Sequence, residues 1–486
     1  MQYAELLHLV RERHVPVAVD SRQVQAGGVF VAVPGVNADG MDYVDAALDA
    51  GAGYVVCQQP ERLSAAQRAR ATVAAHPDAR RAVWELAQAL YGTDNLPLRV
   101  IGITGTNGKT TTAHVLEHVF TRLGHKVGIL GTVGYRWPGH VEPAPLTTPD
   151  SLSLHRMLAA MAADGVTLVV MEASSHALEQ QRVGGIDFAG AVFSNLTQDH
   201  LDFHADMDAY FADKALLFTH YPRADKAMAI NADDPWGRRL LSQCPQALAF
   251  SLGGGEVAHG RVLRGRVVSM SDRGLQLEMR LGDERWQVRS PLVGAFNAAN
   301  LMAVQAVALE MGATPGDMRH LEDFYGVPGR LERVDNPQGL HVFVDYAHTP
   351  DALTNVLTAL RGAGFARVVT VFGCGGNRDK TKRPLMGQAV GALADAIVVT
   401  SDNPRFEDPE AIIADILPGL EQARARGVEV YVEPDRREAT RRALLLLQGD
   451  DALCIAGKGH EDYQIVQGVK RPYSDQQTVR ELLSCV

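Results

Sequence analysis

The sequence contains no apolar run of the roughly 18–20 residues that a membrane-spanning helix requires. Its opening segment, MQYAELLHLVRERH, lacks the apolar core of a secretory signal. Cysteine is scarce: Cys57, Cys244, Cys374, Cys454 and Cys485 are widely separated, odd in number, and nowhere arranged as CxxC. That argues against a disulfide framework and a cysteine-based zinc site, and it fits a reducing compartment. Positive charge is also in deficit, with 47 Lys and Arg against 57 Asp and Glu and a formal net charge of −10. A nucleic-acid or membrane-surface binder needs a basic face, so neither partner is expected. A few local Arg and Lys residues can still hold an anionic small substrate. Short repeats and low-complexity tracts are absent. A soluble, cytoplasmic protein is expected.

What is present is a globular composition, 46% apolar and 21% charged over 486 residues. At about 100–200 residues per domain this length suits two to four domains, and three regions of different pattern stand out. The expected fold class is α/β in three domains, 1–96, 97–330 and 331–486. The first reads as a small α/β unit: an apolar run at Val29–Val33, a Gly/Asn/Asp turn over Gly35–Gly40, a helix around Tyr43–Ala50 and a strand at Tyr54–Cys57. Asp94–Pro97 reads as a linker. The second opens on the buried-strand pattern Arg99–Thr104, then a Gly-rich turn and a helix with Val115, Leu116, Val119, Phe120 and Leu123 on one face. Further strands are expected at Lys126–Gly131, Leu168–Met171, Ala191–Ser194 and Ala227–Ile230. Strands alternating with helices indicate a mostly parallel sheet. The third region repeats the alternation, with strands at His341–Val344, Arg367–Phe372, Ala396–Thr400, Val428–Val432 and Asp451–Ile455 and helices such as Pro384–Leu393 and Pro409–Arg424. It reads as Rossmann-like. Its lack of GxGxxG gives no reason to expect a dinucleotide.

Gly105-Thr106-Asn107-Gly108-Lys109-Thr110-Thr111 lies between a strand and a helix. Glycines let backbone N–H groups approach phosphate, the helix N-terminus adds positive potential, Lys109 reaches the β- and γ-phosphates, and the Thr110 hydroxyl suits Mg²⁺. The first glycine stands only three residues before Gly108, shorter than the common GxxxxGK[ST] loop. Glu172, in Met171-Glu-Ala-Ser-Ser-His176, follows a strand, where a carboxylate beside a phosphate loop can hold Mg²⁺. A second cluster, Asn195–His204, is rich in ligating groups. Lys214 shows itself only as a lysine on a helix, for which a solvated surface position is the ordinary expectation.

The short loop TGTNGKTTT resembles the ATP loop of the Mur ligases, shared with folylpolyglutamate synthetases. The resemblance continues in family order along nearly the whole chain. The segments at Glu172 and at Asn195–His204 are similar to family motifs, which implies that Glu172 and His200 are metal ligands. Lys214 matches the family lysine that CO₂ converts to a carbamate, implying a further Mg²⁺ ligand. Asn231, Asp233 and Asp234 are implied near the nucleotide. Gly294-Ala-Phe-Asn297-Ala-Ala-Asn300 resembles an adenine-contacting segment. Arg330 is implied to stabilise the transferring phosphoryl group, and Asp345 and His348 of a DYAHxP-like motif to touch ATP from the third domain. Ser21, Val36, Asn37 and Ala38 are implied contacts of the uridine diphosphate. Thr147, Thr148, Ser174, Gln180 and Arg182 are implied contacts of the muramoyl-peptide, with Leu146 where close relatives often have Asn. Asp402-Asn403-Pro404-Arg405 resembles the DNPR motif of diaminopimelate-adding members, where Arg405 pairs with a carboxylate that lysine lacks. Ala456–Asp462 matches a GKGHE motif, implying that Gly457 and Glu461 meet the distal end of the amino acid. Arg378 would bind another carboxylate, and Asn377 replaces a usual Asp. The family then implies an ATP-dependent ligase that adds meso-2,6-diaminopimelate to UDP-N-acetylmuramoyl-L-alanyl-D-glutamate through an acyl phosphate, in peptidoglycan synthesis; a monomer is expected. A lysine-adding or folylpolyglutamate synthetase-like ligase is the alternative. A P-loop kinase or switch would leave the third domain unexplained.

Overall fold

The structure, a computed structural model, describes every residue except 36–37, 200–202, 254–259, 272 and 485–486, and for 222–225 it gives the backbone alone. The chain divides into two compact units. One comprises Met1–Thr104, Phe120–Val192 and Ala212–Ala227, the other Gly105–Val119, Phe193–Phe211 and Met228–Val486.

The first unit begins with a four-stranded parallel sheet in the order Val17–Ala18, Val29–Val31, Tyr54–Cys57, Thr72–Ala75. Helices Tyr3–Arg13 and Ala79–Tyr91 cover one face through Leu6, Val10, Ala82 and Leu86. Val44, Ala47 and Leu48 of the short helix Val44–Asp49 cover the other. Covered on both faces, the strands can be apolar throughout. Helix Ala79–Tyr91 starts where the Asp78 carboxylate accepts the Arg81 N–H at 3.1 Å and stops at Gly92, whose φ of +63° suits a residue without Cβ. The same unit contains strands in the order Phe188–Phe193, Arg99–Thr104, Leu168–Glu172, Val127–Gly131, Gly134–Trp137, His140–Glu142. Arg99–Thr104 and Val127–Gly131 both run parallel to Leu168–Glu172, and the last two strands are antiparallel additions.

Strand Pro222–Asn231, which belongs to the second unit from Met228 onward, pairs in parallel with Leu248–Ser251 and that strand with Val262–Ser271, and Gly274–Leu281 and Glu284–Ser290 extend them as antiparallel strands. This antiparallel extension was not expected from the sequence. Its turn, Gly282-Asp283, has Gly282 at φ +60°. Helix Ala295–Glu310 is buried along nearly its whole length.

The final sheet has six strands in the order Glu332–Arg333, His341–Asp345, Ala452–Ala456, Val368–Phe372, Ala396–Val399, Glu429–Val432, all parallel except the first. Apolar clusters lie on both faces, one around Leu353, Leu357 and Ile413, the other around Val342, Val398 and Ala439. The stretch expected as one helix over Pro409–Arg424 is instead the helix Pro409–Ile416, a 3₁₀ turn Leu417–Leu420 and a short helix Glu421–Ala425. Pro418 has no N–H for an α-helical bond, so the chain tightens there. Chain order reverses on either side of Ala452–Ala456, and in open α/β sheets the crevice at such a switch, beyond the strand carboxyl ends, is where ligands bind. Asp345, Asp402–Arg405 and Gly457–Glu461 all lie at or just beyond strand ends in this sheet.

Candidate active site

The loop Gly105–Gly108 leads into helix Lys109–Arg122. Gly105 and Gly108 have φ of +146° and +86°. A Cβ on Gly105 would sit 2.0 Å from Ser194 Oγ, and one on Gly108 would sit 2.2 Å from Asn300 Oδ1. Both positions therefore need glycine for space as well as for conformation. The loop is fixed from one side: Asn195 accepts the Thr106 and Asn107 N–H groups, through its carbonyl and side chain, at 2.9 Å each, and Ser194 Oγ donates to the Asn107 carbonyl at 2.6 Å. Lys109 Nζ folds back to donate to the Gly105 and Thr106 carbonyls at 2.9 Å each. The resulting cradle of backbone amides at a helix start, with a lysine over it, fits a nucleotide phosphate. Thr110 and Thr111 are buried.

Residues far along the chain converge on this loop. Arg330 donates to Thr110 Oγ1 at 3.1 Å and stacks over Tyr346, its guanidinium carbon 4.5 Å from the ring centroid. Asp351, at the start of helix Pro350–Gly362, accepts the Asn107 amide at 2.7 Å and the Thr197 hydroxyl at 3.3 Å. Burial pushes its carboxyl above the ordinary range against those donors. Asn297 is buried, donating to the Val293 carbonyl at 2.8 Å and accepting from Asn300 at 3.1 Å, which places Asn300 against Gly108. Asp345 accepts the Leu331 N–H at 2.6 Å and the Ala347 N–H at 2.7 Å, and burial raises its pKa while Arg330 opposes the rise. Burial lowers the His348 imidazole, with Lys382 adding to the effect, and its Nδ1 lies 2.8 Å from the Tyr346 carbonyl. Asn231 donates to the Ser194 carbonyl at 2.7 Å. Asp233 accepts the Leu252 N–H at 2.7 Å, and Asp234 caps helix Pro235–Gln243 and accepts the Leu196 N–H at 3.1 Å. In this structure the two carboxylates shape the loops behind the phosphate cradle.

In the first unit, Glu172 is buried at the end of its strand, accepting the Thr132 N–H at 3.0 Å and its hydroxyl at 3.1 Å. Thr132 in turn meets the Thr147 hydroxyl at 3.2 Å. Thr148 donates to the Glu172 carbonyl at 2.8 Å and lies 3.2 Å from Ser174 Oγ, which caps helix Ser175–Glu179. Arg182 donates to Gln180 Oε1 at 2.6 Å and 3.1 Å and to the Thr148 carbonyl at 3.5 Å, and burial lowers its pKa. Thr147, Thr148, Ser174, Gln180 and Arg182, implied together by the resemblance, thus form one connected cluster with Glu172, which it implied as a metal ligand. Leu146 is exposed, and its carbonyl accepts the Tyr135 hydroxyl at 2.5 Å. Lys214 is 2% exposed within helix Met207–Thr219, which overturns the ordinary expectation of a solvated lysine. Beside it, burial and then Glu179 push Asp213 up to about 6. Ser21 is buried in a 3₁₀ turn capped by Asp20, and Ala38 is exposed, its carbonyl accepting the Gly35 N–H at 3.0 Å. Val36, Asn37 and His200 lie outside the described residues, as does Cys485.

The third cluster joins two segments that follow strands Ala396–Val399 and Ala452–Ala456, which lie on either side of Val368–Phe372. Lys458, 0% exposed, donates to Glu461 at 3.1 Å, Asn403 at 3.2 Å and Asp402 at 3.4 Å. Asn403 donates to Glu461 at 2.8 Å. Arg405 has φ of +54°, donates to the Gly376 carbonyl at 2.7 Å, and takes its backbone support from the Ile465 carbonyl at 3.0 Å. Pro404 is buried, and its carbonyl would lie 2.0 Å from a Cβ on Gly376. Gly457, at φ +115°, donates to the Asp345 carbonyl at 3.0 Å. Asn377 adopts φ of +52°, a conformation Asn tolerates, and accepts the Phe406 N–H at 3.1 Å while donating its own N–H to Glu407. Arg383 then clamps Glu407 at 2.9 Å and 3.1 Å, holding that carboxyl down at about 2, with the Asn377 N–H as the next contribution. Arg378 is exposed and without an ion-pair partner among the described residues. Neither Asp351 nor Lys458 had a role from the sequence alone; the signal available was their place, Asp351 directly after the DYAHxP-like motif and Lys458 within the GKGHE motif.

Thr110 places a hydroxyl oxygen at the cradle, a hard donor of the kind that suits Mg²⁺, although no group of three or more His, Cys, Asp or Glu side chains gathers among the described residues. No helix among the described residues is long and apolar enough to cross a membrane.

Three family models match the chain: Mur ligase family, catalytic domain, at 16–91; Mur ligase middle domain, at 103–308; and Mur ligase, glutamate ligase domain, at 329–459. A protein of Lawsonia intracellularis named UDP-N-acetylmuramoyl-L-alanyl-D-glutamate--2,6-diaminopimelate ligase is 49% identical over 476 residues, covering 98% of this chain and 97% of its own. A protein of the same name from Geobacter metallireducens is 45% identical, covering 96% and 94%. A solved structure with that name is 33% identical, with a TM-score of 0.67 over 96% of this chain and 94% of its own. A folylpolyglutamate synthase of Mycobacterium tuberculosis complexed with ADP, 21% identical with a TM-score of 0.62 over 78% of this chain and 91% of its own, shares the fold. The chain belongs to the Mur ligase family and is an ATP-dependent, amide-bond-forming ligase.

Proposed function

We propose that this chain joins meso-2,6-diaminopimelate to UDP-N-acetylmuramoyl-L-alanyl-D-glutamate in the cytoplasm, for peptidoglycan synthesis, as a monomer with domains 1–96, 97–330 and 331–486. The observation that carries this reading is the pair of segments Asp402–Arg405 and Gly457–Glu461: a guanidinium and hydrogen-bonded carboxylates beyond two strand ends of one sheet suit the carboxylate and ammonium of a distal amino-acid centre. Lysine has that ammonium but no carboxylate for Arg405. The relatives of like name support the same substrates.

In this reading Gly105–Thr111 bind the phosphates of ATP, while Asn297, Arg330, Asp345 and His348 complete the nucleotide site. Lys109 and Arg330 neutralise charge on the phosphoryl group as it moves to the D-Glu side-chain carboxylate, with ADP as leaving group. The amine of diaminopimelate then attacks the acyl carbon, the C–N bond forms, and phosphate departs. Ser21, Val36, Asn37 and Ala38 hold the uridine diphosphate. Thr147, Thr148, Ser174, Gln180 and Arg182 hold the muramoyl-peptide, and Arg378 takes a diaminopimelate carboxylate. Thr110, Glu172, His200 and Lys214, the last as its CO₂-derived carbamate, would hold Mg²⁺, which when bound neutralises the charge shared by phosphate and acceptor. The protein mainly positions reactants.

The test is phosphate release from ATP with the muramoyl-dipeptide and either diaminopimelate or L-lysine. Turnover with diaminopimelate alone is expected. Preference for lysine would keep the ligase and refute the role of Arg405, and dependence on neither would refute the acceptor assignment.

A further inference from the structure

We infer that Lys458 is the positioning residue that sets the charge and orientation of the ammonium-recognising end of the amino-acid site. The inference rests on the reading that Asp402, Arg405 and Glu461 meet the incoming amino acid. Lys458 is 0% exposed, and a buried ammonium is tolerated only where partners satisfy it. Its three N–H groups face three acceptors, Glu461 Oε2 at 3.1 Å, Asn403 Oδ1 at 3.2 Å and Asp402 Oδ1 at 3.4 Å. With every donor engaged, Lys458 neither binds the amino acid itself nor serves as a base or nucleophile. It acts through its neighbours.

Two consequences follow. The first is geometric. Lys458 and Asn403 both donate to Glu461 Oε2, so that oxygen is spoken for and the other, Oε1, is the one left to turn towards a ligand. Asn403 is itself held by the Ile465 N–H, which donates to its Oδ1 at 2.9 Å. The second is electrostatic. Two carboxylates and one ammonium leave the cluster with a net charge of −1, matched to a single ammonium, while Arg405 supplies the single positive charge for a single carboxylate. Without Lys458 the cluster carries −2, and Glu461 loses a donor that orients it. Arg436, another buried cation, cannot substitute, because its guanidinium is taken up by Asp475 and by the Ala456 carbonyl.

The experiment is a double-mutant cycle of Lys458→Met and Glu461→Gln. KM is measured separately for ATP, the muramoyl-dipeptide and the amino acid that the wild-type enzyme uses in the phosphate-release assay. Lys458→Met is expected to raise the amino-acid KM at least about tenfold, with the other two KM values and the saturated kcat within about twofold. The double variant is expected to lie within about threefold of Glu461→Gln alone, because removing Lys458 matters little once Glu461 is neutral. An unchanged amino-acid KM in Lys458→Met overturns the inference. So does a common rise in all three KM values, or a double variant whose defect is the product of the two single defects. Should Lys458→Met fail to fold, the comparison of the double variant with Glu461→Gln decides alone. A wild-type enzyme that uses lysine refutes the diaminopimelate reading, while the pattern of KM values still decides the part played by Lys458.

Discussion

Gly108 and Gly124 flank the same helix and both have positive φ, +86° and +88°, yet their surroundings differ completely. A Cβ at Gly124 meets nothing within 4 Å, whereas one at Gly108 would lie 2.2 Å from Asn300 Oδ1. Alanine at either site carries the left-handed strain of about 1–2 kcal/mol. At Gly108 the overlap adds a displacement of about 1 Å before ordinary contact is restored, and a misplacement of that size near reacting groups costs on the order of 10²-fold in rate. Asn300 cannot simply swing aside, because it is buried and its amide is bound to Asn297 at 3.1 Å. The expected outcome is therefore asymmetric. Both variants lose stability in denaturant unfolding, Gly108→Ala the more by about 1–3 kcal/mol for its overlap, but Gly108→Ala loses roughly a hundredfold in phosphate release while Gly124→Ala stays within about twofold of wild type. Near wild-type turnover in Gly108→Ala would refute the claim that this glycine shapes the phosphate cradle.

Lys214→Ala should retain almost no turnover at saturating substrates, and near wild-type rates would remove the carbamate from the mechanism. Arg436 and Asp475 form a fully buried ion pair at 2.8 Å, so Arg436→Met, which strands the carboxylate, should cost about 3–5 kcal/mol in unfolding experiments, while Arg436→Met with Asp475→Leu should recover most of it. His155 is buried between Thr93 and Gly184, its Nδ1 2.5 Å from the Thr93 hydroxyl and its Nε2 3.1 Å from the Gly184 carbonyl, an arrangement that suits the neutral ring with its proton on Nε2. Burial lowers its pKa from 6.5 to about 4, so the folded state binds fewer protons than the unfolded state between those values. Its contribution, about 3 kcal/mol, is complete above pH 6.5 and lost as pH falls towards 4. His155→Gln should flatten the difference in stability between pH 7 and pH 5 relative to wild type, and an unchanged slope would sink the assignment.

Much of the fold was legible because its strands are buried on both faces. Arg99–Thr104 and Tyr54–Cys57 read as strands from apolar runs, and the structure gives them the same bounds. The antiparallel strands were missed although Gly274–Leu281 alternates, with Leu275, Leu277 and Met279 buried and polar residues between them. That period-two signal is weaker than an apolar run, and it went unused. Pro418 was present in the sequence, but its effect depends on where the preceding helix already stands, so the broken helix was not read. The site divides in the same way. Residues that meet small ligands through strand-end loops sit in short motifs and can be named one by one. Residues that hold those loops act across long stretches of chain: Asp351 reaches Asn107, and Lys458 bridges Asp402 and Glu461. A lysine inside a glycine-rich motif carries no mark of what it touches; only burial, which forces every N–H to find an acceptor, turns it from a plausible surface charge into the part that fixes the carboxylates around it.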